Sequence, residues 1–188
     1  MNIYESTLAD VFIIEPKVWG DERGYFFESY REDLISKHLR KFHWVQDNES
    51  LSVKGVLRGL HYQLPPFAQS KLVRVIRGSV LDVAVDIRKG SPNFGKHMTI
   101  ELSEENKKQV LIPRGFAHGF LVLSDTAIFS YKVDNYYSKE SERSILWNDP
   151  TIGVDWQLSE SHLVLSEKDK VGKQISEVDI FPSGDLYA

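Results

Sequence analysis

Short β-type runs recur along the chain at residues 11–14, 25–30, 56–63, 71–76, 80–87, 97–102, 109–112, 117–123 and 127–133. Turn signals separate them: Gly20-Asp21-Glu22-Arg23-Gly24, Pro65-Pro66, Arg77-Gly78, Lys89-Gly90-Ser91-Pro92 and Pro113-Arg114-Gly115. Many short strands at this spacing predict an antiparallel sandwich or barrel. Helical intervals occur at 32–39, where Leu34, Ile35, His38 and Leu39 share a face. After Asp149-Pro150 the pattern loosens. Trp156, the run Leu163-Val164-Leu165 and the charged Glu167-Lys168-Asp169-Lys170 are expected to pack back over the strands as short helical turns.

Side chains alternate faces along a strand, so the pattern also assigns sides. In 80–87, Leu81, Val83, Val85 and Ile87 share one face, which leaves Asp82, Ala84 and Asp86 on the other and sets two carboxylates on one side. In 127–133, Phe129, Tyr131 and Val133 oppose Ile128, Ser130 and Lys132; if the aromatic face is inward, Tyr131 points into the barrel. The segment 46–76 is the most informative, because it strings charged and imidazole side chains along half-buried β-structure. Within it, strict alternation sends Arg58 to one face and His61 to the other. A buried histidine is more often a hydrogen-bonded structural residue than a catalyst, and a buried tyrosine is usually a core filler. What singles out His61 is the company it keeps further along the chain.

With 188 residues, no repeat and no low-complexity linker, one domain spanning 1–188 is expected, with a tail from about residue 171 whose role the pattern leaves open. Hydrophobic residues at 41% and charged residues at 27% are ordinary for a globular chain. No apolar run approaches the roughly 20 residues of a membrane helix, and MNIYESTLAD lacks the pattern of a signal peptide, so a cytoplasmic location is expected. The absence of cysteine excludes disulfides, thiol catalysis and thiolate metal sites. A net charge of −4 argues against nucleic acid or an acidic membrane as partner. Locally, Arg58, Lys71, Arg74 and Arg77 could still converge on a phosphate, or equally be solvated strand-edge charges.

Several chemistries lack their residues. A metal-binding small barrel needs a His-x-His pair with further ligands; Pro113-Arg114-Gly115-Phe116-Ala117-His118 resembles the second half of that pattern, but His61 is followed by Tyr62 and Gln63, so no metal is expected. No Gly-x-Gly-x-x-Gly, phosphate loop or Gly-x-Ser-x-Gly elbow occurs, and no cofactor is expected.

The blocks GDERGYFFESY (20–30), QDN (46–48), GVLRGLHYQLPP (55–66), KLVRVIRGSVLDVAVDIRKGSPNFGK (71–96), IPRGFAHGFLVLSDTAIFSYK (112–132), ERSILWNDP (142–150) and LSEKDK (165–170) resemble the dTDP-4-dehydrorhamnose 3,5-epimerase family, in order and over nearly all the chain up to about residue 170. The resemblance implies an all-β, cupin-type antiparallel jelly-roll barrel with a few short peripheral helices. It also implies a homodimer, with amino-terminal strands exchanged between subunits, that works without a metal on a dTDP-linked 4-keto-6-deoxyhexose in rhamnose biosynthesis. By the match His61 is the base, Asp169 orients and charge-stabilises it, Tyr131 returns a proton from the other face, and Lys71 stabilises the enolate oxygen. The same match assigns substrate contacts to Arg23, Glu28, Gln46, Asp47, Asn48, Arg58, Lys71, His118, Glu142 and Lys168, with Tyr137 stacking on thymine. Glu49 and Ser70 depart from the His and Gly that the family more often carries. Two other readings stand beside this one: epimerisation at a single carbon with the same His61 and Tyr131, and nucleotide-sugar binding without turnover, whose mark would be loss of the base or the acid, both present here.

Overall fold

The alternation read in 80–87 carries directly into the structure, a computed structural model that describes residues 1–181, 186 and 187. In chain order the strands are β1 (Asn2–Glu5), β2 (Phe12–Glu15), β3 (Val18–Asp21), β4 (Gly24–Phe27), β5 (Gln46–Val53), β6 (Val56–Gln63) and β7 (Lys71–Arg77). They continue with β8 (Ser79–Asp86), β9 (His97–Ser103), β10 (Gln109–Ile112), β11 (Phe116–Val122), β12 (Thr126–Val133), β13 (Glu142–Ser144) and β14 (Val164–Leu165). Helices are few and short: α1 (Glu32–His38), α2 (Glu167–Lys170) and a 3-10 turn at Glu160–His162.

Two antiparallel sheets face each other. One runs β1-β2-β10-β7-β12-β5 and the other β13-β6-β11-β8-β9, with β14 added parallel to β6 beside β13. β3 and β4 form a separate hairpin. The facing sheets bear out the antiparallel sandwich or barrel expected from the spacing of strands and turns, and the jelly roll that the family resemblance implies.

The second sheet buries both faces over β8 and β11 and the first does so over β7 and β10, which is why these strands carry apolar residues on each side. Between the sheets lie Val73, Val75, Val110, Ile112, Phe116, Phe120 and Phe129. On the outer face of the second sheet Leu81, Val83, Val85 and Ile87 pack with Leu57, Leu60, Trp147, Trp156, Ile175 and Phe181. The outer face of the first sheet buries Ile14, Leu72 and Leu111 under Ile35 of α1 and Phe42. The tail from 171 therefore acquires a role: Ile175 and Phe181 are core side chains, and Tyr62 Oη donates to the Asp179 carbonyl at 2.6 Å. The tail residues 182–185 and 188 lie outside the described residues.

The expected opposition of Arg58 and His61 is overturned. Pairing of β6 with β11 sets His61 opposite His118 and Arg58 opposite Phe120, so three steps on β6 match two on β11. One extra residue in a strand reverses its faces, and Arg58 and His61 end on the same side. Leu57, Leu60 and Tyr62 all enter the outer cluster despite their mixed parity. The bulge fits because glycine stands on both strands. Gly59 has φ +136°, and a Cβ there would fall 2.5 Å from Gly119 Cα.

Candidate active site

Where the inter-sheet core gives way to polar side chains, a cavity of about 630 Å³ opens. β6 contributes Arg58 and His61, β5 Asn48, β7 Lys71, β11 His118 and β12 Tyr131. The segment from β14 into α2 closes one side with Val164, Leu165, Ser166, Lys168 and Asp169, while Val56, Phe120 and Phe129 supply apolar wall. His61 and Tyr131 thus come from opposite sheets onto one space. β12 behaves as its alternation predicts: Tyr131 packs inward against the inter-sheet core and pairs across to Asn48.

Asp169 is 3% exposed and its carboxylate is fully engaged. Oδ1 lies 2.6 Å from His61 Nε2 and 3.3 Å from the Gly59 N–H, and Oδ2 accepts the Ser166 hydroxyl at 2.6 Å. Burial opposes its charge, but hydrogen bonds from His61 and Ser166 outweigh that and hold its pKa below the ordinary value. An ionised carboxylate only accepts, so His61 Nε2 is the donor, and in the neutral ring the lone pair is then on Nδ1.

Two further groups have their protonation set by burial. Burial pushes Lys71 down to about 8, against the pull of Asp82 and Glu142. It raises Tyr131, so the phenol carries its proton at neutral pH although Arg58 works the other way. His118 is likewise drawn down by burial, and its Nε2 lies 2.8 Å from Asp82 Oδ2. The other Asp82 oxygen, also buried, has no hydrogen-bond partner among the described residues. A preorganised cation and a protonated phenol around an enclosed space, with an oriented imidazole opposite, can remove and return protons while stabilising an oxyanion.

At the edge of the cavity Glu142 pairs with Lys168 and accepts from Tyr137 Oη at 3.0 Å. Ser52 Oγ holds Arg58 through Nε at 3.2 Å and Nη2 at 3.1 Å, and Gln46 donates to Asn48 Oδ1 at 2.8 Å. Not every residue named from the sequence reaches this space. Arg23 sits in the exposed β3–β4 turn, paired with Asp21, and Glu28 pairs with Arg31. Asp47 points to the outer face, where Lys132 meets it at 2.9 Å. Of the basic cluster only Arg58 and Lys71 line the cavity; Arg74 lies over the Phe27 ring. Glu49 lines the cavity, whereas Ser70 is buried away from it and shares a hydrogen bond with Tyr187 Oη at 2.9 Å. Sequence reading gave no role to Asp82, Ser52 or Ser166. The spacing Ser166-x-x-Asp169 was a usable signal, since it is a helix-capping pattern; Ser52 carried none. Among the described residues no group of three or more His, Asp or Glu side chains gathers as a metal site, and no helix is long and apolar enough to cross a membrane.

Jelly-roll sheets closed over such an acid–base cavity define a cupin-type enzyme, and the family follows from comparison with known proteins. The chain belongs to the dTDP-4-dehydrorhamnose 3,5-epimerase family, whose model matches residues 5–177. A relative from Shigella flexneri, described as dTDP-4-dehydrorhamnose 3,5-epimerase, is 54% identical over 182 residues, covering 96% of this chain and 99% of its own. The crystal structure of a Legionella pneumophila dTDP-6-deoxy-D-glucose-3,5-epimerase in complex with dTDP-4-keto-L-rhamnose superposes with a TM-score of 0.93 at 48% identity, covering 98% of this chain and 99% of that one. An Elizabethkingia anophelis dTDP-4-dehydrorhamnose 3,5-epimerase gives 0.89 at 51% identity, over 94% and 97% of the two chains.

Proposed function

We propose that this chain is a dTDP-4-dehydrorhamnose 3,5-epimerase, an isomerase that converts dTDP-4-dehydro-6-deoxy-D-glucose to dTDP-4-dehydro-L-rhamnose by removing and returning protons at C3 and C5. The observation that carries the reading is the cavity shared by a carboxylate-held imidazole from one sheet and a protonated phenol from the other. Carbons flanking a ketone are acidified by enolate formation, and inversion needs a base on one ring face and an acid on the other. His61 Nδ1 takes the proton, and Asp169 holds the ring and stabilises the imidazolium. Lys71, still largely cationic at neutral pH, meets the charge that develops on the 4-keto oxygen. Tyr131 then delivers a proton to the opposite face.

Arg58, Asn48, His118 and Lys168 hold the nucleotide diphosphate and sugar, with Gln46 steadying Asn48, and Tyr137 and Glu142 receive the base at the rim. All of this chemistry uses side chains alone, without metal or cofactor. The working form is a homodimer, in which the exposed β3–β4 hairpin brings Arg23, with Glu28 just beyond it, to the cavity of the other subunit. The exposure of Trp19, Tyr25 and Phe26 on that hairpin supports this arrangement. The cytoplasm is its proposed place of action.

Incubation with the 4-keto substrate in deuterated water tests the reaction. NMR should show deuterium entering at both C3 and C5; incorporation at one carbon alone would leave a single-centre epimerase instead, and none at all would leave a binding protein.

A further inference from the structure

We infer that Ser166 is a positioning residue of the catalytic pair, acting through Asp169 by a hydroxyl that fixes the carboxylate in the plane His61 requires. The inference rests on the reading of His61 as base, and it adds a group to which neither the family resemblance nor the comparisons assign a part.

Asp169 has few ways to be held. It is almost wholly buried on a helix of only four residues, so the helix itself gives little rigidity. One carboxylate oxygen faces β6, where His61 Nε2 and the Gly59 N–H meet it. The other would be a buried charged oxygen without a donor were it not for Ser166, 2.6 Å away. Ser166 Oγ also accepts the Asp169 N–H at 3.2 Å, so the two residues clasp each other at the start of α2. The serine is in turn fixed by β14, whose Val164 and Leu165 pair in parallel with Val56 and Leu57 of β6. Strand pairing, hydroxyl, carboxylate and imidazole therefore form one continuous chain of contacts that ends at the base. Ser166 itself borders the cavity.

The charged groups around Asp169 are His61 and Arg58 on β6, Glu49 on β5, Lys71 on β7, His118 on β11, Glu142 on β13, and Glu167, Lys168 and Lys170 on its own helix. Of these only His61 touches it; the other donors to its carboxylate are the Gly59 N–H on Oδ1 and the Ser166 hydroxyl on Oδ2. Removing the hydroxyl takes away a stabiliser of the ionised carboxylate, and Asp169 must then stay ionised with less help. The low-pH limb reports the His61–Asp169 pair as a unit; its carboxylate, held below the ordinary value, becomes more basic when a donor is lost, so protons enter the pair at higher pH.

A merely structural serine would act as a helix cap, and glycine serves nearly as well in that position. The test compares Ser166→Ala, Ser166→Gly and Ser166→Thr with the parent enzyme, and His61→Ala as a control, by pH profiles of kcat/KM and by dTDP titration. The alanine and glycine variants should lose roughly ten- to hundredfold in kcat/KM, the worth of a hydrogen bond to a charged group. Their low-pH limb should move upward, threonine should restore both, and dTDP affinity should be unchanged. If alanine and glycine leave the limb where it was while His61→Ala is inactive, Ser166 is only a cap and the inference fails alone. If His61→Ala still turns over, the reading beneath it fails as well.

Discussion

At the scale of single residues, the cavity works by keeping different groups in opposite protonation states at one pH. Tyr131 is kept protonated chiefly by burial, and Asp169 is kept ionised by its donors against burial. Lys71 is the sensitive member, since burial brings it from 10.5 down to about 8. Its charge is present below that value and lost above it. Turnover should therefore decline as pH rises past about 8, and Lys71→Arg, whose guanidinium stays charged, should displace that decline upward in a pH profile of kcat. An unmoved alkaline limb in the arginine variant would show that another group sets it. Stability responds with the opposite sign: between about 8 and 10.5 the unfolded chain binds more protons at this lysine than the folded one, so its contribution to stability grows as pH rises there.

At the scale of elements, the bulge in β6 decides whether there is a site at all. Without the additional residue, Arg58 and His61 would face opposite sides of the sheet, as plain alternation predicts. Gly59→Ala drives a methyl into the Gly119 backbone at a left-handed φ, and should cost about 1–3 kcal/mol of overpacking in urea unfolding. The turnover of the folded fraction should fall too, because relief of the clash moves His61. Undiminished activity per folded molecule would mean that the bulge tolerates a side chain. This part of the site was little visible in the sequence: Gly59 inside a strand run is a signal for a bulge, but which side chains a bulge re-aims is a property of pairing between strands. β5 escaped the hydrophobic pattern for a related reason. Its inward positions Gln46, Asn48, Ser50 and Ser52 are polar because they face the cavity and Arg58, while the positions between them mix Asp47 and Glu49 with the exposed Leu51 and Val53, so no apolar face marks the strand. β8 and β12, whose inner or outer faces fill a core, were legible residue by residue.

At the scale of the whole molecule, an antiparallel sandwich or barrel was readable from the rhythm of strands and turns, the jelly roll came from the family resemblance, and the meeting of distant segments was not readable from the pattern. Physical pattern alone gave no reason for Asp169, in a loosely patterned charged stretch, to reach His61; only the family resemblance joined them. The single chain also leaves Arg23 and Glu28 away from its cavity, which makes assembly testable. Mixing and co-refolding inactive Arg23→Ala with inactive His61→Ala should recover activity if the arginine serves the neighbouring subunit, because one site in each mixed dimer is then intact. Recovery no greater than the sum of the separate variants would return Arg23 to its own chain or to no role. The clasp between His61 and Asp169 spans 108 positions of sequence. All strands of both sheets precede Asp169 in the chain, so His61 gains its carboxylate partner only once the stretch around Asp169 has emerged from the ribosome and docked, and in refolding turnover should return no earlier than that docking and the pairing of subunits.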